Sequence, residues 1–79
     1  MKLEIYKRVA LRVDVPEHKL RKGDTAVLLD FIPHPEGGER GCALEVFNAV
    51  GKSIAVVVLP ESSVEALTED EVLAIRHIA

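Results

Sequence analysis

The sequence predicts a small all-β domain of about five strands with one short helical turn. Three observations carry that expectation. Apolar and polar residues alternate at period two in most segments. Gly and Pro cluster between those segments rather than inside them. The chain has 79 residues, which is room for one core and no second one, so residues 1–79 read as a single domain. Short strands punctuated in this way form a small barrel or a pair of packed sheets.

The first strand is expected over residues 9–15, "VALRVDV". Val9, Leu11, Val13 and Val15 would share one side, with Arg12 and Asp14 on the other. Pro16 ends it, since proline has no N–H to donate to a ladder. "PEHKLRKGD" is then a polar loop with one apolar anchor, Leu20, and Gly23 supplies the backbone freedom of a tight turn. The second strand is "TAVLLDFI", residues 25–32. Thr25, Val27, Leu29 and Phe31 would share one face, and Ala26, Leu28, Asp30 and Ile32 the other. Two prolines and three glycines mark residues 33–41 as a loop joining antiparallel strands.

The third strand is "CALEVF", with Cys42, Leu44 and Val46 on one side and Ala43, Glu45 and Phe47 on the other. Asn48 and Gly51 suit the turn after it, because both tolerate positive φ. The fourth strand, "SIAVVVL", has no polar residue between Ile54 and Leu59, so both of its faces are expected to be covered. Pro60 closes it. "PESSVEAL" reads as a single helical turn, with Val64 and Leu67 dipping into the core. Thr68 and Glu71 have capping-box spacing, yet Val72, Leu73, Ile75 and Ile78 also fit a strand. Residues 71–77 are expected to form that strand and to pair with residues 2–13, because the N-terminal run would otherwise keep an open apolar edge.

Convergent catalytic groups are missing. His18, His34 and His77 share no metal-ligand spacing, and Cys42 is the single cysteine. Ser62 and Ser63 lack a nucleophile-elbow context. "EGGERG" lacks the Lys-Ser/Thr of a phosphate loop. Glu69, Asp70 and Glu71 form an acidic run with no apolar pocket to shift their pKa values. The expectation is a protein that is not an enzyme and takes no cofactor or metal. A lone thiol suits a reducing compartment and packs like a small apolar group. No apolar run is long enough for a signal peptide or a spanning helix. A cytoplasmic protein without membrane contact is expected.

Charge narrows the partner class. Residues 1–40 hold eight Lys/Arg against seven Asp/Glu, and residues 41–79 hold two against six, for a net charge of -3. The acidic second half works against a nucleic-acid field. The aromatics Tyr6, Phe31 and Phe47 are not interleaved with basic residues as a stacking platform requires, and Phe31 is expected in the core. Nucleic acid should bind no better than in ordinary non-specific contact, roughly 10⁻⁴ to 10⁻⁶ M. The one cluster with a binding reading is Glu17, His18, Lys19, Arg21 and Lys22. It could meet an acidic protein surface or a phosphate, or simply be solvated.

Val9-Ala10-Leu11, Asp14, Pro16-Glu17-His18, Leu20 and Gly23-Asp24 fall on a pattern that continues through Leu44-Glu45-Val46-Phe47, Gly51, Ala55, Val57 and Leu59-Pro60. On these residues the chain resembles a family of short bacterial proteins, common in cyanobacteria, classed as a domain of unknown function. "VPEHKLRKGD" is its most specific piece. The resemblance implies a Src-homology-3-like barrel. It also implies an arrangement in which the gene lies beside a second short reading frame, as an inhibitor lies beside its toxin. No enzymatic activity comes with it. The expected function is thus a non-catalytic protein-interaction module, an antitoxin-like inhibitor of a partner encoded beside it among its forms; a component whose only partner is itself, a homo-oligomer, is a separate, third reading. The alternative is a KOW-like domain using Arg12, Lys19, Arg21 and Lys22 on RNA or the ribosome. Such barrels place a second glycine soon after the first, where this chain has Ala26. That departure weakens the alternative. Binding would come from the loop before Gly23, or from an exposed sheet edge that takes an added strand.

Overall fold

The structure is a computed structural model that describes residues 2–67. It is all-β. Five strands, β1 (Arg8–Leu11), β2 (Thr25–Ile32), β3 (Gly41–Phe47), β4 (Ser53–Pro60) and β5 (Val64–Ala66), form one antiparallel sheet in the order β4-β3-β2-β1-β5. The only helical turns among the described residues are 3-10 turns at Pro16–His18 and Glu61–Ser63. The all-β class and the count of about five strands are as expected. Among the described residues no helix is long and apolar enough to cross a membrane.

One face of the sheet holds the core. Val9, Leu11, Leu28, Cys42, Leu44, Val46, Val57 and Val64 are buried there, together with Val15 and Leu20. No polar side chain is buried among the described residues, so the core gains from apolar burial without unmet hydrogen bonds. The expected faces of β3 hold: Cys42, Leu44 and Val46 all point inward.

Four local expectations are corrected. The first strand ends at Leu11, not at residue 15. Arg12 instead donates its N–H to the Ser63 carbonyl at 2.8 Å, Val13 is exposed, and Val15 returns to the core by bridging Leu20. Second, Phe31 changes face. The β2–β3 register steps from Leu28↔Leu44 to Asp30↔Ala43, which leaves Leu29 as an extra residue. A bulge of this kind reverses the parity of every later residue on its strand. Phe31 therefore pairs with Cys42 and packs partly buried on the core side with Leu28. Asp30 accepts the Phe31 N–H at 2.8 Å, which ties the bulge locally.

Third, β4 is not covered on both faces. It is an edge strand, and Ile54, Val56 and Val58 are exposed. Fourth, the helical turn after Pro60 is shorter than expected, and residues 64–66 form a strand. That strand is the second neighbour of β1, through Val9↔Ala66, Ala10↔Glu65 and Leu11↔Val64. The N-terminal run does pair twice, with β2 and with β5. The pairing expected of residues 71–77 lies outside the described residues.

Two expected outcomes follow from this core. Leu28 is fully buried between β1 and β3. Leu28→Ala should lower unfolding free energy by about 2–5 kcal/mol, read as a drop in the urea midpoint, and a change under about 1 kcal/mol would contradict its placement. Cys42 is fully buried, and burial pushes its thiol above the ordinary range. The thiol should resist alkylation until the chain unfolds. An unfolded thiol ionises near about 8.5, while the folded one stays protonated at that pH. The unfolded state thus binds fewer protons above that pH, and stability should fall as pH rises through it. Urea titrations of the native chain and Cys42→Ala at neutral and alkaline pH isolate this contribution. Equal pH slopes would refute it.

Candidate interaction surfaces

The loop between β1 and β2 is built to hold itself. Val15 and Leu20 exchange backbone bonds of 2.9 and 3.1 Å, and both are buried. Lys19 takes a left-handed φ of 57° at the end of the 3-10 turn. Asp14 Oδ1 accepts the Lys22 N–H at 2.9 Å, and Asp24 Oδ2 accepts the Arg21 N–H at 2.8 Å. Gly23, at φ 93°, donates to the Leu11 carbonyl at 2.8 Å. Most of the "VPEHKLRKGD" run is thereby accounted for as a corner that delivers the chain into β2.

The five candidate residues of this loop are all exposed: Glu17, His18, Lys19, Arg21 and Lys22. They lie together, but their charges do not add up to a basic patch. Asp14, Glu17 and Asp24 balance Lys19, Arg21 and Lys22 one for one. Arg12, the fourth cation of the RNA alternative, faces a cleft that Lys19, Arg21 and Lys22 do not line. It shares this cleft, of about 500 Å³, with Lys2, Arg40, Glu61 and Glu65. Arg40 is already engaged there. Its guanidinium donates to Glu61 Oε2 at 2.6 and 2.9 Å and lies 3.7 Å over the Phe31 ring. The Glu61 bond raises its pKa. Glu39 accepts the Ser62 N–H at 2.5 Å. These contacts clip the β2–β3 loop to the turn before β5. Among the described residues no three His, Cys, Asp or Glu side chains form a group that could hold a metal ion.

The surface that sequence reasoning missed is the outward face of β2, β3 and β4. Register places three rows across it: Ile32–Gly41–Pro60, Asp30–Ala43–Val58, and Val27–Glu45–Val56. Val56 and Val58 are each 58% exposed and Ile32 41%. Gly41 has a specific part here. A Cβ on it would come within 3.2 Å of Val58 Cγ1, so the missing side chain lets Val58 lie flat against the middle strand. The result is an apolar patch bounded by Asp30 and Glu45, running up to the bare edge of β4. Contiguous exposed apolar surface of this kind marks an interaction site more often than a scattered residue does. One signal was available in the sequence. Glu45 must point to water, so the residues opposite it on β4 must share that side.

Residues 5–66 match the model of a family described as Domain of unknown function (DUF4926). The match ends on the last residue of β5 and so spans all five strands. No curated protein and no solved structure matches the chain.

Proposed function

We propose that this chain, which belongs to the DUF4926 family of domains of unknown function, is a non-catalytic protein-interaction module. The observation that carries the reading is the outward β2–β3–β4 face, where Ile32, Val56 and Val58 stand exposed beside a strand edge that no described residue pairs. Burying such a face stabilises a complex by about 25 cal/mol per Å² of apolar surface before the costs of association. A protein surface supplies the matching apolar area, and a nucleic acid does not. The resemblance to inhibitors encoded beside a toxin makes a toxin held inactive the first candidate partner, in a reducing cytoplasm that suits a lone buried thiol.

The RNA alternative draws less support. The loop charges cancel, and Arg12 lines a cleft that Lys19, Arg21 and Lys22 do not. Phosphate neutralisation needs cations that outnumber their neighbours.

The test is capture from the native host's lysate by three immobilised chains in parallel: wild type, Ile32→Lys, and Arg21→Glu with Lys22→Glu. Thermal melts confirm that each is folded. A protein held by the wild type and the loop variant but lost with Ile32→Lys is the expected result. Loss with the loop variant alone, or micromolar RNA binding that the loop variant abolishes, would overturn it.

A further inference from the structure

β4 carries no charged residue from Ser53 to Pro60, and among the described residues it pairs on one side only. Natural edge strands are blunted by charge, bulges, proline or shortness. Here a bulge at Ile54, between the pairs Val46↔Ala55 and Phe47↔Ser53, blunts one end. Pro60 blunts the other. Residues 55–59 between them stay bare.

The phase of the bare edge follows from one bond. The Glu61 N–H donates to the Arg40 carbonyl at 3.0 Å, continuing the register Gly41↔Pro60. Antiparallel ladders alternate between bonded and non-bonded pairs. Leu59, Val57 and Ala55 therefore exchange bonds with β3, and the backbone N–H and C=O groups of Val56 and Val58 point away from it. Pro60 falls at a position where β3 asks for no donor, which is where a strand tolerates proline. The residues with outward backbone groups are the same ones whose side chains form the apolar patch.

We infer that this edge is closed by β4 of a second copy, antiparallel, about a two-fold axis at Val57. The inference rests on reading this surface as an interface and names the occupant of its edge. A two-fold axis there sets Val57 against the partner's Val57, and Val56 against the partner's Val58. The two Val56–Val58 pairs form four main-chain hydrogen bonds and add cross-strand valine contacts on the outer face. Moving the centre toward Val56 brings the bulged Ile54 into the ladder. Moving it toward Val58 sets Pro60, which has no N–H, against the partner's Val56. Charge favours the same register. Lys52 precedes β4, while Glu39, Arg40 and Glu61 flank its far end, two acids against one cation that pairs with Glu61. Antiparallel self-pairing carries each lysine toward the partner's acidic end, and it does so twice. A strand with opposite charges at its two ends and none between is complementary to itself.

Sedimentation equilibrium of the full chain tests this. The wild-type mass should rise from 8.7 kDa toward twice that value between roughly 1 μM and 1 mM, the range expected of a small interface. Two variants with the same two positions made charged separate register from mere polarity. V56K/V58K sets lysine against lysine twice and should weaken pairing at least about tenfold. V56K/V58E sets lysine against glutamate twice and should pair at least as well as wild type. Exchange of the Val56 and Val58 amides should slow as wild-type concentration rises. A mass of 8.7 kDa at every concentration, or equal behaviour of the two variants, would overturn the inference. Ile32 lies on β2, away from the edge, so Ile32→Lys should leave self-pairing intact. A monomer that still captures a partner sinks the pairing alone, and a pair that captures nothing sinks the proposed function alone.

Discussion

Leu28, Leu44 and Val57 stand opposite one another on three adjacent strands, all buried. This row fixes the phase of the sheet. Side chains alternate with a period of two, so a slip of one residue on any strand would carry its whole apolar set to the wrong face. With the row in place, Cys42 and Val46 must point inward beside Leu44, and Ala55 and Leu59 beside Val57. Ala43, Glu45, Val56 and Val58 must then point out. The exposed valines are thus a consequence of the core and not an accident of the surface. β4 supplies Val57 to the interior, and it cannot do so without presenting Val56 and Val58 to the other side.

The same parity explains what is legible in the sequence. β2 reads with the bounds it has, because Gly23-Asp24 and Pro33 bracket it. The inward set of β3 is readable because Glu45 breaks the apolar run and declares the phase. β4 misleads for the opposite reason. "IAVVVL" contains no polar residue, so nothing in it separates the inner face from the outer, and burial on both sides is the natural inference. Whether such a strand is central or at an edge depends on which strands pair, and composition does not record that. Phe31 packs against the core as the sequence reading expects, but its grouping on one face with Val27 and Leu29 fails, because a one-residue bulge leaves no mark in an alternating pattern. Residues 64–66 read as helix because three residues are too few for either period to show. At Asn48 the sequence reading finds the turn for only part of its reason. Gly51 takes the positive φ, while Asn48 acts through its side chain, accepting the N–H groups of Val50 and Lys52.

The candidate loop illustrates a different confusion, between a recognisable motif and a binding motif. Asp14, Gly23, Asp24, Val15 and Leu20 are specific residues in specific places, and each meets a requirement of the turn itself. Side-chain carboxylates accept N–H groups that no strand partner reaches. Such a segment is distinctive because it is a demanding piece of backbone. Its three exposed cations are flanked by an equal number of acids, so the local field is small beyond a few ångströms. Arg40 is similar in the β2–β3 loop. Its charge is spent on Glu61 and its plane on Phe31, and together they hold the 3-10 turn from which β5 departs. That hold matters because β5 is only three residues long and depends on its point of departure.

The two ends of the sheet are unequal, and this bears on stoichiometry. Among the described residues, β4 offers five residues without a neighbour between its bulge and its proline, whereas β5 at the other end is three residues long. Open-ended polymerisation needs two adhesive edges per molecule, one to receive a strand and one to offer a strand onward. A sheet with a single adhesive edge adds one neighbour and then has nothing left to extend. The bulge and Pro60 narrow the window further, since a longer incoming strand finds no straight backbone beyond residues 55–59. The fold can therefore leave an apolar strand open to water without becoming a template for fibres, because every contact made there terminates the chain of contacts instead of propagating it.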